Sequence, residues 1–231
     1  MSDAPYLVGI AGASCSGKTV LATRLAESTP GGPATILALD SYYRDLSHLT
    51  PDQRAVWNFD VPEALDSALL LQHLRALLSG SAIDKPIYDF STHTRAAGTE
   101  RVEPAPFIII EGLFVLYWRE IRDTLGTKVF IAVPDEVCLA RRIARDARER
   151  DRTEQSVRAQ YEATVRPMYR KYCKPTARFA DLRASGDDPV DRLAETVLRH
   201  VRERSCRRLD ARKPPPERLI CRRLDGRKPP P

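Results

Sequence analysis

The stretch Gly12-Ala-Ser-Cys-Ser-Gly17-Lys18-Thr19 decides the fold of this 231-residue chain. It matches the spacing G-x-x-x-x-G-K-[ST], follows an apolar run at residues 6–11, and leads directly into a helix-compatible run that starts at Val20. A strand, a glycine-rich loop and a helix in this order predict a phosphate cradle, because the N–H groups of the loop and the positive end of the helix dipole converge on one anion. A chance Gly-Ser-rich turn would explain the loop but not the strand and helix beside it.

The loop residues have expected roles in nucleotide binding. Lys18 would reach the β- and γ-phosphates, and the Thr19 hydroxyl would bind Mg²⁺. The residues expected to surround the phosphates are Gly12, Ala13, Ser14, Cys15, Ser16, Gly17, Lys18 and Thr19. The sequence therefore predicts a protein that binds a nucleoside triphosphate, with ATP and Mg²⁺ as the expected cofactors.

The positive charge of the chain is concentrated at its C-terminal end. The formal net charge is +6, yet residues 202–231 hold eleven basic and four acidic side chains, and residues 1–201 hold 26 basic and 27 acidic ones. A nearly neutral main part argues against general nucleic-acid binding, which we expect only weakly, through the basic tail. No apolar run approaches the roughly 20 residues that span a bilayer, and the N-terminus lacks the pattern of a secretion signal. We therefore expect a cytoplasmic protein without membrane contact.

A repeat marks the tail. Residues 206–216 recur as residues 221–231 with a period of 15, and each copy ends in three prolines. Consecutive prolines prevent a helix or a sheet from continuing, and two copies are too few for a stacked repeat fold. We predict a single folded domain at residues 1–204 and a basic, disordered tail at residues 205–231.

Short apolar runs alternate with helical patterns before the tail. The apolar runs lie at residues 6–11, 35–39, 107–111, 128–133 and, more weakly, 180–184; the helical patterns lie at residues 18–28, 62–78, 135–150, 153–172 and 189–204. This alternation predicts an α/β fold with a doubly wound parallel sheet of the P-loop NTPase type, flanked by helices. Residues 85–102 fit neither pattern, and we expect a small hairpin or flap there, beside a cleft at the carboxyl ends of the strands.

Two carboxylates follow predicted strands at the edge where the phosphate loop begins. Asp40 comes directly after the run at residues 35–39, and Glu111 ends the run at residues 107–111. A carboxylate at the end of a buried strand needs a cation or strong hydrogen bonds. Asp40 would accept the proton of a substrate hydroxyl, and Glu111 would hold a metal ion. The expected metal site thus combines Thr19, Asp40 and Glu111, although either carboxylate alone could instead cap a helix.

Residues 141–152 are crowded with arginines: Arg141, Arg142, Arg145, Arg148, Arg150 and Arg152. A solvated helix face is the usual explanation of such a run. Its position after a predicted strand favours an Arg-rich lid for two or three of them, because guanidinium groups neutralise charge on a transferring phosphoryl group. We expect Arg142 and Arg145 to act in catalysis together with Lys18, and Arg150 to bind the nucleotide.

The remaining sequence narrows the class of nucleotide-binding protein. The Asn-Lys-x-Asp tetrapeptide that gives GTPases their guanine specificity does not occur in the sequence. Residues 78–81, Leu-Ser-Gly-Ser, are only faintly similar to the transporter-ATPase signature, and the chain lacks the size of a motor. A small-molecule kinase is the class that remains, with the choice between ATP and GTP left open.

Several longer motifs occur in a fixed order over about residues 6–195. They read Gly9-Ile-Ala-Gly-Ala-Ser-Cys-Ser-Gly-Lys-Thr19, Asp40-Ser-Tyr-Tyr-Arg-Asp-Leu46, Asn58-Phe-Asp-Val-Pro-Glu-Ala-Leu-Asp66, Pro86-Ile-Tyr-Asp-Phe-Ser-Thr-His-Thr-Arg95, Ile108-Ile-Ile-Glu-Gly112, Arg141-Arg-Ile-Ala-Arg-Asp146 and Val165-Arg-Pro-Met168. In these motifs the chain resembles the uridine–cytidine kinases, within the wider group that includes phosphoribulokinase and pantothenate kinase. The resemblance implies ATP-dependent phosphorylation of the 5′-hydroxyl of uridine or cytidine, with a pyrimidine nucleoside as substrate.

The resemblance also implies roles for single residues at the ribose. Asp40 would be the base that takes the proton from the ribose 5′-hydroxyl, and Glu111 would be the acid of the metal site. Asp60 matches the carboxylate that holds the ribose hydroxyls. Its expected helpers are Tyr43, Arg142 and Arg152.

Other residues match the part of the family that recognises the pyrimidine. Tyr88 and His93 would read the edge of the base, and Phe59 and Phe90 would pack on its ring. Gln160 falls where the family places another amide on the substrate side. Without the resemblance, Tyr88 and Phe90 fit alternating strand packing equally well.

Departures from the family pattern leave two alternatives open. Val61 stands where the family commonly has His, and residues 183–188 replace its apolar strand end and Pro-Gly-rich turn. A divergent kinase acting on another riboside or small alcohol is the first alternative. The second is a nucleotide-binding regulatory protein whose basic tail contacts RNA or an acidic partner, although a regulator has no need of a riboside pocket. Because family members are often tetramers, the resemblance also implies a homo-oligomer.

Overall fold

Five parallel strands form the central sheet of the computed structural model, which describes residues 5–29 and 34–211. The strands of the model are β1 (Tyr6–Gly12), β2 (Thr35–Ala38), β3 (Ile83–Asp89), β4 (Thr94–Val102), β5 (Phe107–Glu111), β6 (Thr127–Ala132) and β7 (Leu182–Ser185). The central sheet has the order β2-β5-β1-β6-β7, whereas β3 and β4 form a separate hairpin. This arrangement confirms the predicted α/β fold.

The two strands at the centre of the sheet are buried on both faces. Every residue of β5 is buried, and in β1 only Tyr6 is partly exposed. Val8 pairs with Ile109 on one side and with Thr127 on the other. Neighbouring parallel strands are joined by crossover connections, and the helices in these connections cover both faces of the sheet. The sequences of the central strands are therefore almost continuously apolar.

Helices flank this sheet. Within the described residues they are α1 (Lys18–Ser28), α2 (Pro51–Ala55), α3 (Ser67–Leu78), α4 (Arg119–Thr124), α5 (Asp135–Arg150), α6 (Glu154–Gln160), α7 (Arg166–Met168) and α8 (Val190–Ala211). Helix α1 packs against α8, and α3 packs against α4. Leu21 and Leu25 of α1 are buried because residues four apart lie on one helix face. None of the helices in the described ranges is long and apolar enough to cross a membrane.

The helix predicted at residues 62–78 is shorter than expected. Pro62–Ala64 forms a 3-10 turn, and α3 begins only at Ser67. Between them Leu65 is extended and forms an isolated antiparallel bridge with Tyr43. The Asp66 carboxylate accepts a hydrogen bond from the Leu69 N–H at 3.1 Å and so caps α3. The helical prediction was wrong at this end because a pairing with a distant residue holds Leu65 extended.

The helix predicted at residues 153–172 is continuous but irregular. After α6 the chain forms a π-helical turn at Tyr161–Val165, continues through α7, and forms a second π-helical turn at Tyr169–Cys173. A π-helical turn holds one extra residue, and such turns are frequent at functional sites. The spacing of apolar residues alone did not predict these turns.

Differences at other element ends are small, except at the C-terminal helix. The helix predicted at residues 189–204 continues as α8 to Ala211 and so crosses the predicted boundary at residue 205. The rest of the predicted tail, residues 212–231, lies outside the described residues.

The hairpin expected at residues 85–102 is present as β3 and β4, which pair in antiparallel fashion. Arg95 ties it to the segment that follows β2. Its main-chain N–H donates to Asp45 Oδ1 at 3.0 Å, and its Nε donates to the Tyr43 main-chain oxygen at 2.9 Å. Tyr88 and His93 of the hairpin are thereby held beside the turn that carries Asp40.

Candidate active site

One cleft at the carboxyl ends of the strands collects nearly all of the predicted site residues, where ligands of open α/β sheets are expected. Its volume is about 1480 Å³. The predicted residues that line it are Ser14, Cys15, Ser16, Gly17, Lys18, Thr19, Asp40, Tyr43, Phe59, Asp60, Tyr88, Phe90, His93, Glu111, Arg142, Arg145, Arg150, Arg152 and Gln160. Gly12 and Ala13 belong to the loop but do not line the cleft.

Backbone constraints shape the phosphate loop between β1 and α1. Gly17 has a φ of 96°, in the left-handed region that favours glycine. A Cβ atom at Gly12 would lie 2.6 Å from the Ile131 main-chain oxygen, so a side chain does not fit there. Lys18 Nζ donates to the Ala13 main-chain oxygen at 2.7 Å, which folds the ammonium group over the loop. The loop thus places a cation and the first N–H groups of α1 at one end of the cleft.

A buried hydroxyl supports phosphate binding in this loop. Ser16 is completely buried, and its Oγ makes no hydrogen bond to any residue that the structure describes. Leaving a buried polar group unpaired is costly, and a phosphate oxygen is a suitable partner. The Ser16 hydroxyl, the Lys18 ammonium and the shape of the loop therefore fit the phosphates of a nucleoside triphosphate.

Thr19 and Glu111 meet at the proposed metal end of the loop. The register of the sheet sets Glu111 between Ile10 of β1 and Ala38 of β2, and Thr19 Oγ1 donates to Glu111 Oε1 at 3.0 Å. Burial raises the pKa of Glu111, and the nearby Lys18 ammonium opposes this increase. A bound cation would stabilise the charged form of this buried carboxyl group.

Asp40 lies on the 3-10 turn Leu39–Tyr42, directly after β2. The residue is exposed within the cleft, but the surrounding walls limit its hydration, and this desolvation raises its pKa. Four cations oppose the increase, in the order Lys18, Arg145, Arg150 and Arg142. Asp40 is thus a carboxyl group of raised pKa surrounded by positive charge.

The donor atoms at this end suit Mg²⁺ bound together with a nucleotide. In the described ranges no group of three or more His, Cys, Asp or Glu side chains could hold a metal by itself. Mg²⁺ is usually held by one or two carboxylates, waters and substrate phosphates. Thr19, Asp40 and Glu111 fit that description, with the phosphates supplying the remaining oxygen atoms.

Asp146 of α5 organises three of the predicted lid arginines. Its side chain is completely buried, and Oδ1 accepts hydrogen bonds from Arg145 Nε at 2.9 Å and Nη2 at 2.7 Å. Its Oδ2 lies 3.6 Å from Arg142 Nε and 3.5 Å from Arg152 Nη1. Gln160 Oε1 adds a second bridge, accepting from Arg142 Nη2 at 3.2 Å and from Arg152 Nη1 at 2.6 Å. The three guanidinium groups are therefore held in fixed positions at the cleft.

Arg142 connects this cluster to the phosphate loop. Its side chain is only 8% exposed, and Nη1 donates to Ser14 Oγ at 3.1 Å. Burial of a guanidinium group is favourable only when its donors and charge are compensated. Arg142 therefore couples the position of the lid to the position of the phosphate loop.

The other arginines of residues 141–152 differ in their surroundings. Arg141 donates to the Gly186 main-chain oxygen at 3.2 Å and lines the cleft. Arg150 also lines the cleft, with Cζ 5.8 Å from the centroid of the Phe90 ring. Arg148 bonds to Glu149 and does not line the cleft. Some arginines of this segment therefore line the cleft, as expected of a lid, whereas Arg148 belongs to a solvated helix face.

Five aromatic residues close the opposite end of the cleft: Tyr43, Phe59, Tyr88, Phe90 and His93. The ring centroids of Phe59 and His93 lie 4.8 Å apart with the rings stacked, and those of Tyr43 and Tyr88 lie 5.2 Å apart. Tyr88 is buried, and its hydroxyl oxygen lacks a hydrogen bond within the described residues. Burial lowers the pKa of His93, and the charges of Arg150 and Arg54 lower it further. This aromatic cluster offers ring faces, a neutral imidazole and an unpaired hydroxyl to a planar ligand.

Asp60 lies beside the aromatic cluster. Burial raises the pKa of its carboxyl group, while the charge of Arg142 and a hydrogen bond from Thr164 lower it. The Thr164 hydroxyl donates to Asp60 Oδ2 at 3.2 Å. Asp60 can therefore offer carboxylate oxygens to ligand hydroxyls close to the aromatic cluster.

Sequence reasoning missed two residues that support the site. Asp146 is the last residue of the motif that begins at Arg141, and Thr164 belongs to none of the motifs. Asp146 carried a recognisable signal, because an acidic residue among the six arginines of residues 141–152 is a natural counter-charge. Thr164 carried none, since its partner Asp60 is distant in the chain.

The raised pKa of Asp40 predicts that its charge destabilises the unliganded protein. The folded state binds the proton more tightly than the unfolded state, so the cost is present at neutral pH and disappears as the pH falls through the raised pKa towards about 4. We expect Asp40→Asn to raise the melting temperature at neutral pH, with a difference that shrinks on acidification. Thermal unfolding measured across this pH range checks the expectation.

Asp45→Asn is the matched control, because the hydrogen bond from Ser47 lowers the pKa of Asp45. Its charged form stabilises the fold, so this variant should melt at a lower temperature at neutral pH. Its deficit should shrink only below about pH 4. An Asp40→Asn protein that melts below the unsubstituted protein at neutral pH would contradict the electrostatic argument.

The chain matches the model of the Phosphoribulokinase / Uridine kinase family over residues 7–186. It is 44% identical over 180 residues to a uridine kinase of Escherichia fergusonii, covering 76% of this chain and 84% of the relative. It is 45% identical over 178 residues to a uridine kinase of Brevibacillus brevis, covering 77% and 83%.

A solved structure supports the fold independently. Phosphoribulokinase from Rhodobacter spheroides superposes with a TM-score of 0.59 at 15% identity, covering 82% of this chain and 75% of that one. At this identity the likeness concerns the fold alone, whereas the family match and the two closer relatives concern the sequence. The chain belongs to the phosphoribulokinase/uridine kinase family.

Proposed function

We propose that this protein transfers the γ-phosphoryl group of ATP to the 5′-hydroxyl of uridine or cytidine. The observation that carries the proposal is the position of Asp40 between two differently built ends of one cleft. Lys18 of the phosphate loop acts on the pKa of Asp40, and Asp40 in turn acts on the pKa values of Tyr43 and Asp60. A carboxylate that is close to both a phosphate cradle and a riboside-like pocket can act on a hydroxyl placed between them.

Asp40 would orient the acceptor hydroxyl and accept its proton. A general base works best when its pKa approaches the working pH, and desolvation raises the pKa of Asp40 in that direction. The reaction requires in-line positioning and neutralisation of charge rather than a covalent enzyme intermediate. Asp40 would therefore contribute mainly by holding the acceptor oxygen in line.

The cations of the cleft would neutralise the charge of the phosphates. Thr19, Glu111 and Asp40 would hold Mg²⁺, which would supply positive charge to neutralise the phosphates. Lys18 would move from the Ala13 oxygen to the phosphates, while Arg142 and Arg145, fixed by Asp146, would face the transferring group. Because these guanidinium groups are ordered before the ligand arrives, little reorganisation is needed.

The aromatic cluster and Asp60 would bind the nucleoside. Phe59 and Phe90 offer ring faces for stacking, and the Tyr88 hydroxyl and neutral His93 offer directional hydrogen bonds to the base edge. The Asp60 carboxylate would hold the ribose hydroxyls, with Tyr43, Arg152 and Gln160 around it. The relatives named uridine kinase support this choice over another riboside or a regulatory role.

Free nucleosides and ATP occur together in the cytoplasm, so we propose that location for the enzyme. ATP as the preferred donor and a homo-oligomer are part of the same proposal, and both rest on the family. Binding of nucleic acid through the tail is not required for the reaction.

A panel of acceptors tests the proposed substrate. With Mg·ATP, we expect the protein to form the monophosphates of uridine and cytidine and to act poorly on purine nucleosides, because the Tyr88 hydroxyl and the His93 imidazole would hydrogen-bond to the edge of a pyrimidine. Products are measured by mass spectrometry. If the protein phosphorylates another alcohol but neither uridine nor cytidine, the proposed substrate is wrong and the kinase activity stands. If it binds ATP but phosphorylates no acceptor, the regulatory role is favoured.

Asp40→Asn tests the proposed base. We expect kcat with uridine to fall about 10²- to 10⁴-fold, the usual contribution of a general base, while the Kd of a non-hydrolysable ATP analogue changes little. Steady-state kinetics and calorimetry measure the two quantities. Asp123→Asn, at an exposed ion pair with Arg119 away from the cleft, should keep normal turnover. An active Asp40→Asn protein would remove Asp40 from this role.

Asp146→Asn tests the organisation of the lid. Removing the buried charge leaves three guanidinium groups without their counter-charge, so we expect kcat to fall at least about tenfold. Asp135→Asn is the control on the same helix. Asp135 pairs with Arg166 at 3.4 Å and Arg170 at 3.0 Å, and it does not line the cleft. Equal losses of kcat in both variants would contradict a specific role for Asp146.

A further inference from the structure

Thr164 contacts the carboxylate that is proposed to hold the ribose. Its Oγ1 donates a hydrogen bond to Asp60 Oδ2 at 3.2 Å. In the part of the chain that the structure describes, this is the one hydrogen bond to the Asp60 carboxylate; the Asp60 main-chain N–H donates separately to Asn58 Oδ1 at 3.0 Å. A single hydroxyl therefore restrains the orientation of this carboxylate.

The Thr164 hydroxyl has a second acceptor within reach. The Gln160 main-chain oxygen also lies 3.2 Å from Thr164 Oγ1. A hydroxyl carries one hydrogen, and hydrogen bonds to ionised acceptors are roughly twice as strong as those to neutral ones. The hydrogen therefore goes preferentially to the Asp60 carboxylate.

The segment that carries Thr164 is firmly anchored. Thr164 belongs to the π-helical turn Tyr161–Val165, in which Tyr161 and Val165 are buried and pack with Leu139 of α5. The Tyr161 hydroxyl also donates to the Asp135 main-chain oxygen at 3.3 Å. Packing on both sides of Thr164 fixes the turn. The position of the Thr164 hydroxyl is therefore fixed, and it determines where the Asp60 carboxylate can accept a hydrogen bond.

Arg142, whose charge lowers the pKa of the Asp60 carboxyl, is held by other partners. Arg142 Nε is buried and 3.6 Å from Asp146 Oδ2, and it makes no hydrogen bond to the described residues. Its Nη1 and Nη2 donate to Ser14 Oγ and Gln160 Oε1 instead, so Thr164 is the side chain that orients the Asp60 carboxylate by a direct contact.

We propose that Thr164 is a positioning residue that orients the Asp60 carboxylate towards the vicinal hydroxyls of the acceptor. The proposal rests on the proposed function, in which Asp60 binds the ribose. Thr164 does not line the cleft, so it would set the affinity and the ribose selectivity of the site through Asp60 alone.

Thr164→Val tests the proposal, because it removes the hydroxyl and keeps the branched shape. Loss of one hydrogen bond to a charged group should raise the KM for uridine about tenfold, with little change in kcat or in the Kd of an ATP analogue. The preference for uridine over 2′-deoxyuridine in kcat/KM should fall by a similar factor, since only uridine presents both hydroxyls to Asp60. Kinetics with both nucleosides and calorimetry with the analogue measure these effects.

Two further variants separate positioning from general stability. Thr164→Ser restores the hydroxyl and should return the KM to within about twofold of normal. Thr196→Val removes a hydroxyl whose one hydrogen bond within the described residues goes to the Arg192 main-chain oxygen, at 2.9 Å on α8, and should change neither KM nor selectivity. An unchanged KM in Thr164→Val, failure of Thr164→Ser to rescue, or equal losses for both nucleosides would overturn the proposal. An unsubstituted protein without uridine turnover would instead overturn the proposed function, and this inference with it.

Discussion

The register of β1 between β5 and β6 is the constraint on which the active site depends. It sets Ile10 opposite Glu111 and Gly12 opposite Ile131, so the phosphate loop leaves the sheet directly beside the carboxylate at the end of β5. The hydrogen bond from Thr19 to Glu111 joins the two across the edge. Because side chains alternate along a strand, a slip of one residue would turn Glu111 to the other face and separate it from the loop.

The charged carboxylates of the cleft destabilise the folded protein when no ligand is bound. Desolvation raises the pKa values of Asp40, Asp60 and Glu111, which means that their charged forms are less favourable in the folded state. Lys18 and Arg142 offset part of this cost. Carboxyl groups with raised pKa values cluster at functional sites, because the cations and hydroxyls of the ligands relieve the same penalty.

A second group of residues fixes those that face the ligand. Asp146 and Gln160 hold Arg142, and Arg142 reaches Ser14 of the phosphate loop. Thr164 holds Asp60 from the same irregular helical stretch that begins with α6. The phosphate loop is thus connected to α5 and α6 through Arg142, which contacts both Ser14 and Gln160.

Patterns in the sequence determined the sheet, the phosphate loop, and the placement of Asp40 and Glu111 at strand ends. These features are local, since an apolar run, a glycine spacing or the residue after a strand is visible within a few positions. The tertiary structure alone decided that Leu65 is extended against Tyr43, that Arg142 meets Ser14 of the phosphate loop, and that Thr164 meets Asp60. Such contacts join segments that are brought together by the fold, and no local pattern of polarity records a partner far away in the chain.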